Sequence, residues 1–180
     1  MILDLGCGTS PLNVKNVITV DYDFRFKPRI LYDLSKTPFP FKDNIFDFIN
    51  CNQIVEHLPN TVDTIGEILR IGKVGCKVFI SVPHYSSSIS YSDPTHVRQF
   101  SIRTMNPFCE NYFQYEHNKC FEMLSRKIIY SKIWKYLGLS KLFNILQRPW
   151  EDKLCGIFPA KFIEWEFVIK KANQRGKIAS

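Results

Sequence analysis

An acid and two glycines near the start of the chain have the types and spacing needed to bind a nucleotide-like ligand. The apolar run 2–5 contains one acid, Asp4, and opens directly into the turn Gly6-Cys7-Gly8. A short apolar run closed by turn residues is typical of a buried parallel strand. Glycines allow backbone conformations and a close ligand approach that a Cβ atom would block. We therefore expect a nucleotide-like ligand to bind at this turn.

Two further acids follow strand-like runs and are candidates for binding a nucleoside. Asp21 stands 13 residues after Gly8, at the end of the run 17–21. At a strand end its carboxylate can accept hydrogen bonds from both ribose hydroxyls. Asp33 and Leu34 follow the third run, where Asp33 can accept from an adenine amino group while Leu34 covers a ring face. Both acids can instead be turn-forming residues at strand ends.

Histidines in the middle of the chain are candidates for proton transfer. His84 and His96 follow the predicted fifth strand, at the edge where α/β sheets bind ligands. Either can act as a general base, and Arg98 can hold an anionic group. The alternative is a loop organised by Asp-Pro turn chemistry, with His96 as its cap.

Three further residues are candidates for contacting the substrate. His57 follows the fourth predicted strand, and Tyr85 and Asp93 lie between the two candidate bases. For His57 the favoured alternative is a structural role that links its loop to the cofactor edge. His84, Asp93 and His96 also suggest a metal site, but no cysteine or helical histidine spacing accompanies them, so none is predicted.

Alternating strand and helix patterns predict the sheet that must position these residues. Strands are expected at 1–5, 17–21, 29–33, 45–51, 77–82, 119–130 and 160–171. Asn60 predicts the N-cap of a helix that ends at Gly72, a short helix is expected near Ser101, and helical material should separate the last two strands. This alternation predicts an α/β fold with a largely parallel sheet.

The connection between the first two strands is unusually short. Only the 11 residues 6–16 are available, near the minimum for a crossover that includes a helix, and Pro11 interrupts them. A dinucleotide-binding fingerprint would also require a glycine where Pro11 stands. The first helix is therefore expected to be reduced or absent, and a nicotinamide cofactor is disfavoured.

Four segments of the first 83 residues occur together in an order typical of one protein family. They are the glycine turn 6–8, the Pro-Phe, Asp-Asn and Phe-Asp pairs within 39–49, the Val-Glu-His-Leu of 55–58 and the Glu-X-X-Arg of 67–70. Together they resemble the class I S-adenosylmethionine-dependent methyltransferases. Residues 73–76 read Lys-Val-Gly-Cys where that family commonly has Lys-Pro-Gly-Gly, a departure in a distal turn.

The resemblance implies a fold, a cofactor and a set of binding residues. The implied fold is a Rossmann-like methyltransferase sheet of strand order 3-2-1-4-5-7-6 with strand 7 antiparallel. One domain, 1–180, would comprise a cofactor-binding half, 1–83, and a substrate-side half, 84–180. The residues implied to bind S-adenosylmethionine are Asp4, Gly6, Cys7, Gly8, Asp21, Asp33, Leu34, Cys51, Asn52 and Gln53.

The implied activity is methyl transfer to an acceptor that the sequence does not identify. The histidine-containing loop favours O-methylation of a small molecule, a glycan or a lipid-linked precursor. Methylation of a nucleic acid or protein is an alternative suggested by the basic balance, and a nonenzymatic nucleoside-binding or scaffold protein is another. A lid over the cofactor can come from the loop 84–100 or from another subunit of a homo-oligomer.

Charge and composition bear on partners and on cellular location. The 180 residues carry a net charge of +7, and the segment 123–150 holds six basic residues and no acid. These basic residues are interleaved with apolar residues. They can form a helix face that binds an anionic surface, or they can simply be the solvated face of a packed helix. The aromatics of 108–115 can line an acceptor pocket or belong to the core. Six scattered cysteines and no secretory leader or membrane span predict a reduced, cytoplasmic protein.

Overall fold

One seven-stranded sheet organises the computed structural model of the chain, which describes residues 1–109 and 119–171. The strands are β1 (Ile2–Leu5), β2 (Val17–Asp21), β3 (Ile30–Leu31), β4 (Phe46–Asn52), β5 (Gly72–Pro83), β6 (Lys119–Tyr130) and β7 (Ala160–Lys171). Their order is β3-β2-β1-β4-β5-β7-β6. β1 to β5 are parallel, and β7 is antiparallel to β5 and β6. The predicted Rossmann-like order is confirmed.

Five helices accompany these strands in the described residues. They are α1 (Thr61–Ile71), α2 (Ile89–Ser92), α3 (Lys132–Tyr136), α4 (Leu139–Ile145) and α5 (Gln147–Lys153). The Asn60 side chain accepts hydrogen bonds from two backbone N–H groups of the first turn of α1, as its predicted N-cap role requires. The predicted helix near Ser101 is replaced by turns and a 3-10 helix. There the Ser101 and Thr104 hydroxyls bond to nearby backbone N–H groups and compete with a helix.

The short first crossover contains no helix. Residues 6–16 run from β1 to β2 through turns and irregular backbone. The buried carboxylate of Asp4 holds them, because it accepts from the Leu12 backbone N–H at 2.7 Å and from the Asn50 side-chain amide at 2.6 Å. The expected loss of the first helix is confirmed, and Asp4 is the residue that closes the crossover.

One face of the sheet carries most of the core. Alternate residues of the central strands are fully buried against α1, including Leu3, Ile49, Ile80 and Trp165. Residues of the opposite face, such as Phe48 and Phe79, are only half-buried. The β1–β2 and β2–β3 connections run along the sheet in the opposite direction from the β4–β5 connection, which contains α1. They therefore pass over the opposite face, and neither contains an α-helix that would cover it.

Arg70 connects two motifs that are separate in the sequence. Its guanidinium binds both carboxylate oxygens of Glu67 at 2.7 and 2.6 Å and the Asp43 carboxylate at 2.7 Å. It also donates to the carbonyls of Phe39 and Phe41. The Glu-X-X-Arg and Asp-Asn motifs therefore fix the segment that precedes β4, which is a structural role.

The Lys119 ammonium group closes the carboxyl end of α1. Its Nζ donates to the carbonyls of Leu69 at 2.9 Å and Gly72 at 2.7 Å, and to the Asn44 side chain at 2.6 Å. Lys119→Met keeps the apolar stem but leaves these acceptors unpaired, so we expect about 2 kcal/mol loss of unfolding free energy in urea. Lys77→Met, at an exposed position of β5, should change little. Equal losses in both variants would contradict this role.

Candidate functional site

The glycine turn after β1 has one packed and one open position. Gly6 has φ +66° and Gly8 has φ +48°, both in the left-handed region. A Cβ atom at Gly6 would lie 2.5 Å from Cγ1 of Ile54, whereas at Gly8 it would meet no atom within 4 Å. The Gly8 N–H donates to the Asp21 carboxylate at 2.9 Å. The turn therefore presents its open side at Gly8.

Asp21 combines a turn-forming role with spare acceptor capacity. Its carboxylate is 5% exposed and accepts from the N–H groups of Gly8 and Asp23, one at each oxygen. Each carboxylate oxygen keeps a further lone pair for a hydroxyl donor. Burial, followed by the charges of Asp21 and Asp4, raises the pKa of the neighbouring Cys7 thiol. Cys7 is therefore a neutral thiol that lines the turn.

The other predicted cofactor residues lie in the last residues of β4 or just after β3 and β4. Asp33 accepts from the N–H and hydroxyl of Ser35, and these bonds lower its pKa. Leu34 is buried in the core. The thiol of Cys51 is fully buried, and desolvation raises its pKa. Asn52 is exposed, and Gln53 has φ +55° with its backbone N–H donating to β5. These residues stand at the carboxyl ends of strands next to β1 and β2.

His84 and Tyr85 lie where the sheet contacts α5. His84 is completely buried, accepts the Ser86 backbone N–H at Nδ1 and contacts Glu151 through Nε2 at 3.0 Å. The Tyr85 hydroxyl lies 3.2 Å from the Cys155 sulfur, and burial raises its pKa. Both ring nitrogens of His84 are thus engaged inside the protein, so a base role would require one bond to break.

Glu151 is the central acceptor of this contact and was not identified from the sequence. Its buried carboxylate also accepts from the Ile102 N–H at 2.8 Å, the Ser101 hydroxyl at 3.2 Å and Arg103 Nε at 3.3 Å. Burial by itself raises the pKa of Glu151, but hydrogen bonds, above all from His84 and Ile102, bring it below its ordinary value. Its only sequence signal is that it is the first acid after the run 123–150.

A second cluster brings Glu56 together with two histidines. Glu56 is 1% exposed, and neither of its carboxylate oxygens has a hydrogen-bond partner among the residues that the structure describes. Burial raises the pKa of Glu56 to about 7. The rings of His57 and His96 lie edge to face with centroids 4.7 Å apart. Burial, followed by the charge of His96, lowers the pKa of His57. His96 and His57 therefore lie together, whereas His84 has different partners.

Hydrogen bonds fix the loop that carries His96. The Glu56 carbonyl accepts from the N–H groups of Val97 and Arg98. Arg98 donates to the Pro59 carbonyl and lines a groove of about 290 Å³ with the start of α1 and residues 99–108. Phe108 belongs to this groove, while residues 110–118, with the remaining aromatics of the predicted acceptor wall, lie outside the described residues. The groove is a candidate acceptor site on the carboxyl edge.

The helices that follow β6 expose apolar and basic side chains. Tyr136 is 92% exposed and Ile145 is 80% exposed, and Ile133 and Leu137 are more than half exposed. Lysines accompany them, including Lys135 in the last turn of α3. Because β6 runs parallel to β5, these helices leave the sheet at its carboxyl edge. No helix in the described ranges is long and apolar enough to span a membrane.

Comparisons with known proteins agree with this fold. Residues 3–80 match the family model described as a methyltransferase domain. The uncharacterized protein MJ0638 of Methanocaldococcus jannaschii is 30% identical over 169 residues, which cover 80% of this chain and 73% of that protein. An S-adenosylmethionine-dependent methyltransferase structure from Mesorhizobium loti has a TM-score of 0.60 at 12% identity, covering 93% of this chain and 89% of the other. One from Archaeoglobus fulgidus has a TM-score of 0.54 at 20% identity, covering 93% and 85%.

Proposed function

Because the chain belongs to the class I S-adenosylmethionine-dependent methyltransferases, we propose that it methylates an oxygen atom of a small, glycan or lipid-linked acceptor. The observation that carries this proposal is the open glycine turn braced by Asp21, beside a histidine-bearing loop at the same edge of the sheet. S-adenosylmethionine, the cofactor, supplies an electrophilic methyl group on its sulfonium. The protein's task is to align the acceptor oxygen with that carbon.

The residues around the glycine turn fit the chemistry of this cofactor. The open space at Gly8 leaves room for a ligand against the backbone, and the spare lone pairs of Asp21 suit the two ribose hydroxyls. Asp33 stands at the end of the next strand and is assigned to the adenine side. The backbone of Cys51, Asn52 and Gln53 is assigned to the methionine side. On this proposal residues 1–83 hold the cofactor and 84–180 supply the acceptor side.

We assign binding and activation of the acceptor to the loop after β5. The His96 side chain lies beside His57 and is 7% exposed, whereas that of His84 is fully buried, so His96 is better placed to take a proton from a hydroxyl. Arg98 lines the neighbouring groove and can hold an anionic group of the acceptor. Asp93 and His57 are assigned to this side of the site, and Tyr85, whose hydroxyl contacts Cys155, follows β5 at the same edge of the sheet.

The exposed helices support a lipid-linked or membrane-adjacent acceptor. Apolar side chains such as Tyr136 and Ile145, with lysines beside them, suit an anionic lipid surface. They leave the sheet at the edge that carries the site, so an acceptor anchored in lipid would reach it. The six cysteines, which all fall in the described ranges, form no disulfide there, and this supports a reducing, cytoplasmic location.

Transfer of a labelled methyl group tests this function. The protein is incubated with labelled S-adenosylmethionine and, in separate reactions, with an aqueous, a lipid, a protein or a nucleic-acid extract. We expect label in the lipid or the small-molecule fraction. Asp21→Asn, which weakens the brace on Gly8 and one ribose acceptor, should lose at least about tenfold of S-adenosylhomocysteine affinity by calorimetry, since charged hydrogen bonds contribute about 1.5–3 kcal/mol. Glu122→Gln, an exposed position on β6, is the matched control. Label appearing only in protein or nucleic acid would overturn the proposed acceptor class.

A further inference from the structure

We propose that Glu56, His57 and His96 bind a divalent transition-metal ion. One donor atom from each of these residues lies within 4.8 Å of the other two. Glu56 and His57 follow β4, and His96 follows β5, so neighbouring strands bring the three together at the carboxyl edge. The inference concerns metal binding itself and does not rest on the proposed methyl transfer.

The Glu56 carboxylate lacks the partner that a buried charged group requires. Both of its oxygens are buried and lack any hydrogen-bond donor among the described residues. An unpaired buried carboxylate is strongly unfavourable, and buried charges are normally paired or coordinate a metal. Arg98, the basic residue nearest to His96 in the sequence, donates to the Pro59 carbonyl and not to Glu56. A cation between Glu56 and the histidines would supply the missing partner.

The hydrogen bonds of His57 orient its ring as a metal ligand. The Thr95 hydroxyl donates its only hydrogen to the Asp93 carboxylate at 2.6 Å. It must therefore accept from His57 Nδ1, which lies 2.9 Å away. This places the proton on Nδ1 and leaves the Nε2 lone pair for coordination. A carboxylate behind a ligating histidine is the usual support of a metal site, here relayed through a hydroxyl.

The His96 ring, like that of His57, carries its proton on Nδ1. Its Nδ1 lies 3.3 Å from the Ser90 carbonyl oxygen, which can only accept, so Nδ1 carries the hydrogen and Nε2 has a lone pair. The cluster thus presents two imidazole lone pairs and the carboxyl group of Glu56. A bound cation satisfies all three at once, and a small inward movement of the side chains brings them to the distances of about 2.0–2.2 Å that zinc ligands adopt.

The donor set selects the kind of ion. Imidazole nitrogen suits zinc, copper, iron or nickel, and the carboxylate also suits manganese, whereas Ca²⁺ and Mg²⁺ prefer sets made of oxygen. Three protein ligands leave coordination positions for water or a ligand oxygen, as in catalytic rather than structural sites. On the proposed function, a coordinated His96 cannot also take a proton, so the bound ion would instead activate the acceptor hydroxyl as a Lewis acid. Chelation would then reduce transfer, whereas it would not affect a simple histidine base.

Titration of the chelator-treated, cofactor-free protein with Mn²⁺ tests the site. Mn²⁺ is chosen because thiols bind it poorly, so the cysteines do not compete. We expect one site by calorimetry, confirmed by the imidazole-dependent absorption of Co²⁺. Glu56→Gln and His96→Ala should each abolish measurable binding, and Thr95→Val should weaken it by about 10–100-fold. Glu122→Gln should bind as the wild type does.

Thermal unfolding separates a metal site from a structural carboxyl group. With no ion present, Glu56→Gln should unfold at a temperature equal to or above that of the wild type, because it removes a buried ionisable group without changing its size. Added Mn²⁺ should raise the melting temperature of the wild type but not of Glu56→Gln. Unchanged affinity or an unchanged metal-induced shift in Glu56→Gln would overturn the proposal. Since no cofactor or acceptor is present, failure here is distinct from failure of the proposed function.

Discussion

Alanine at Gly8 should abolish cofactor binding in a folded protein, whereas alanine at Gly6 should destabilise the fold itself. Both glycines have positive φ, which costs an L-residue roughly 1–2 kcal/mol. A Cβ atom at Gly6 would overlap Ile54, adding about 1–3 kcal/mol of overpacking. At Gly8 the Cβ atom would enter open space, and that space is where the cofactor is proposed to contact the backbone.

Urea unfolding and calorimetry with S-adenosylhomocysteine measure the two effects separately. Gly6→Ala should lose about 3 kcal/mol of unfolding free energy. Gly8→Ala should lose about 1 kcal/mol, yet its affinity should fall by at least about a hundredfold, as expected when the volume beside the turn is filled. Ile54→Ala removes Cγ1 and Cδ1, the two nearest atoms that an alanine at Gly6 would meet, and leaves Cβ at 2.8 Å, so adding it to Gly6→Ala should recover part of the lost stability. Wild-type affinity in Gly8→Ala would place the cofactor elsewhere.

Local signals predicted the framework of the sheet well. The bounds of β2, β6 and β7 agree with the predicted 17–21, 119–130 and 160–171, because each is an apolar or alternating run closed by turn residues. The Asn60 cap and the Gly72 end of α1 were also predicted, since capping is a contact within one turn. Strand order followed from the resemblance of the motifs and is confirmed.

Side-chain partners far apart in the chain were less predictable. His84 follows β5 as expected, but its partner Glu151 lies 67 residues further on, so its burial could not be inferred locally. Glu56 was recognised only as part of a motif. The cluster around its unpaired carboxylate includes His96, which follows the next strand, β5. Long-range packing, which sequence periodicity does not encode, decided which histidines are enclosed and which face the edge.

Glu151→Ala should be among the most destabilising substitutions in the chain. The variant removes a buried carboxylate that accepts from His84, Ile102 and Ser101, and leaves those donors without a partner. Removing one member of a buried charged network costs about 3–5 kcal/mol. Glu151→Gln keeps the shape and one good acceptor oxygen, so its loss should be smaller. Asp152→Asn, an exposed neighbour that also pairs with Arg103, should lose no more than about 1 kcal/mol.

The pH dependence of this loss distinguishes a charged acceptor from mere packing. The pKa of Glu151 is lower in the folded protein than its ordinary value, so its ionised form stabilises the fold above the unfolded-state pKa, about 4.3. That contribution disappears as the pH falls through the lower, folded-state value. Urea unfolding should therefore show a wild-type advantage over Glu151→Gln that is constant near neutral pH and shrinks below about pH 4. An advantage that stayed the same at low pH would mean that volume, and not the carboxylate charge, holds α5 against the sheet edge.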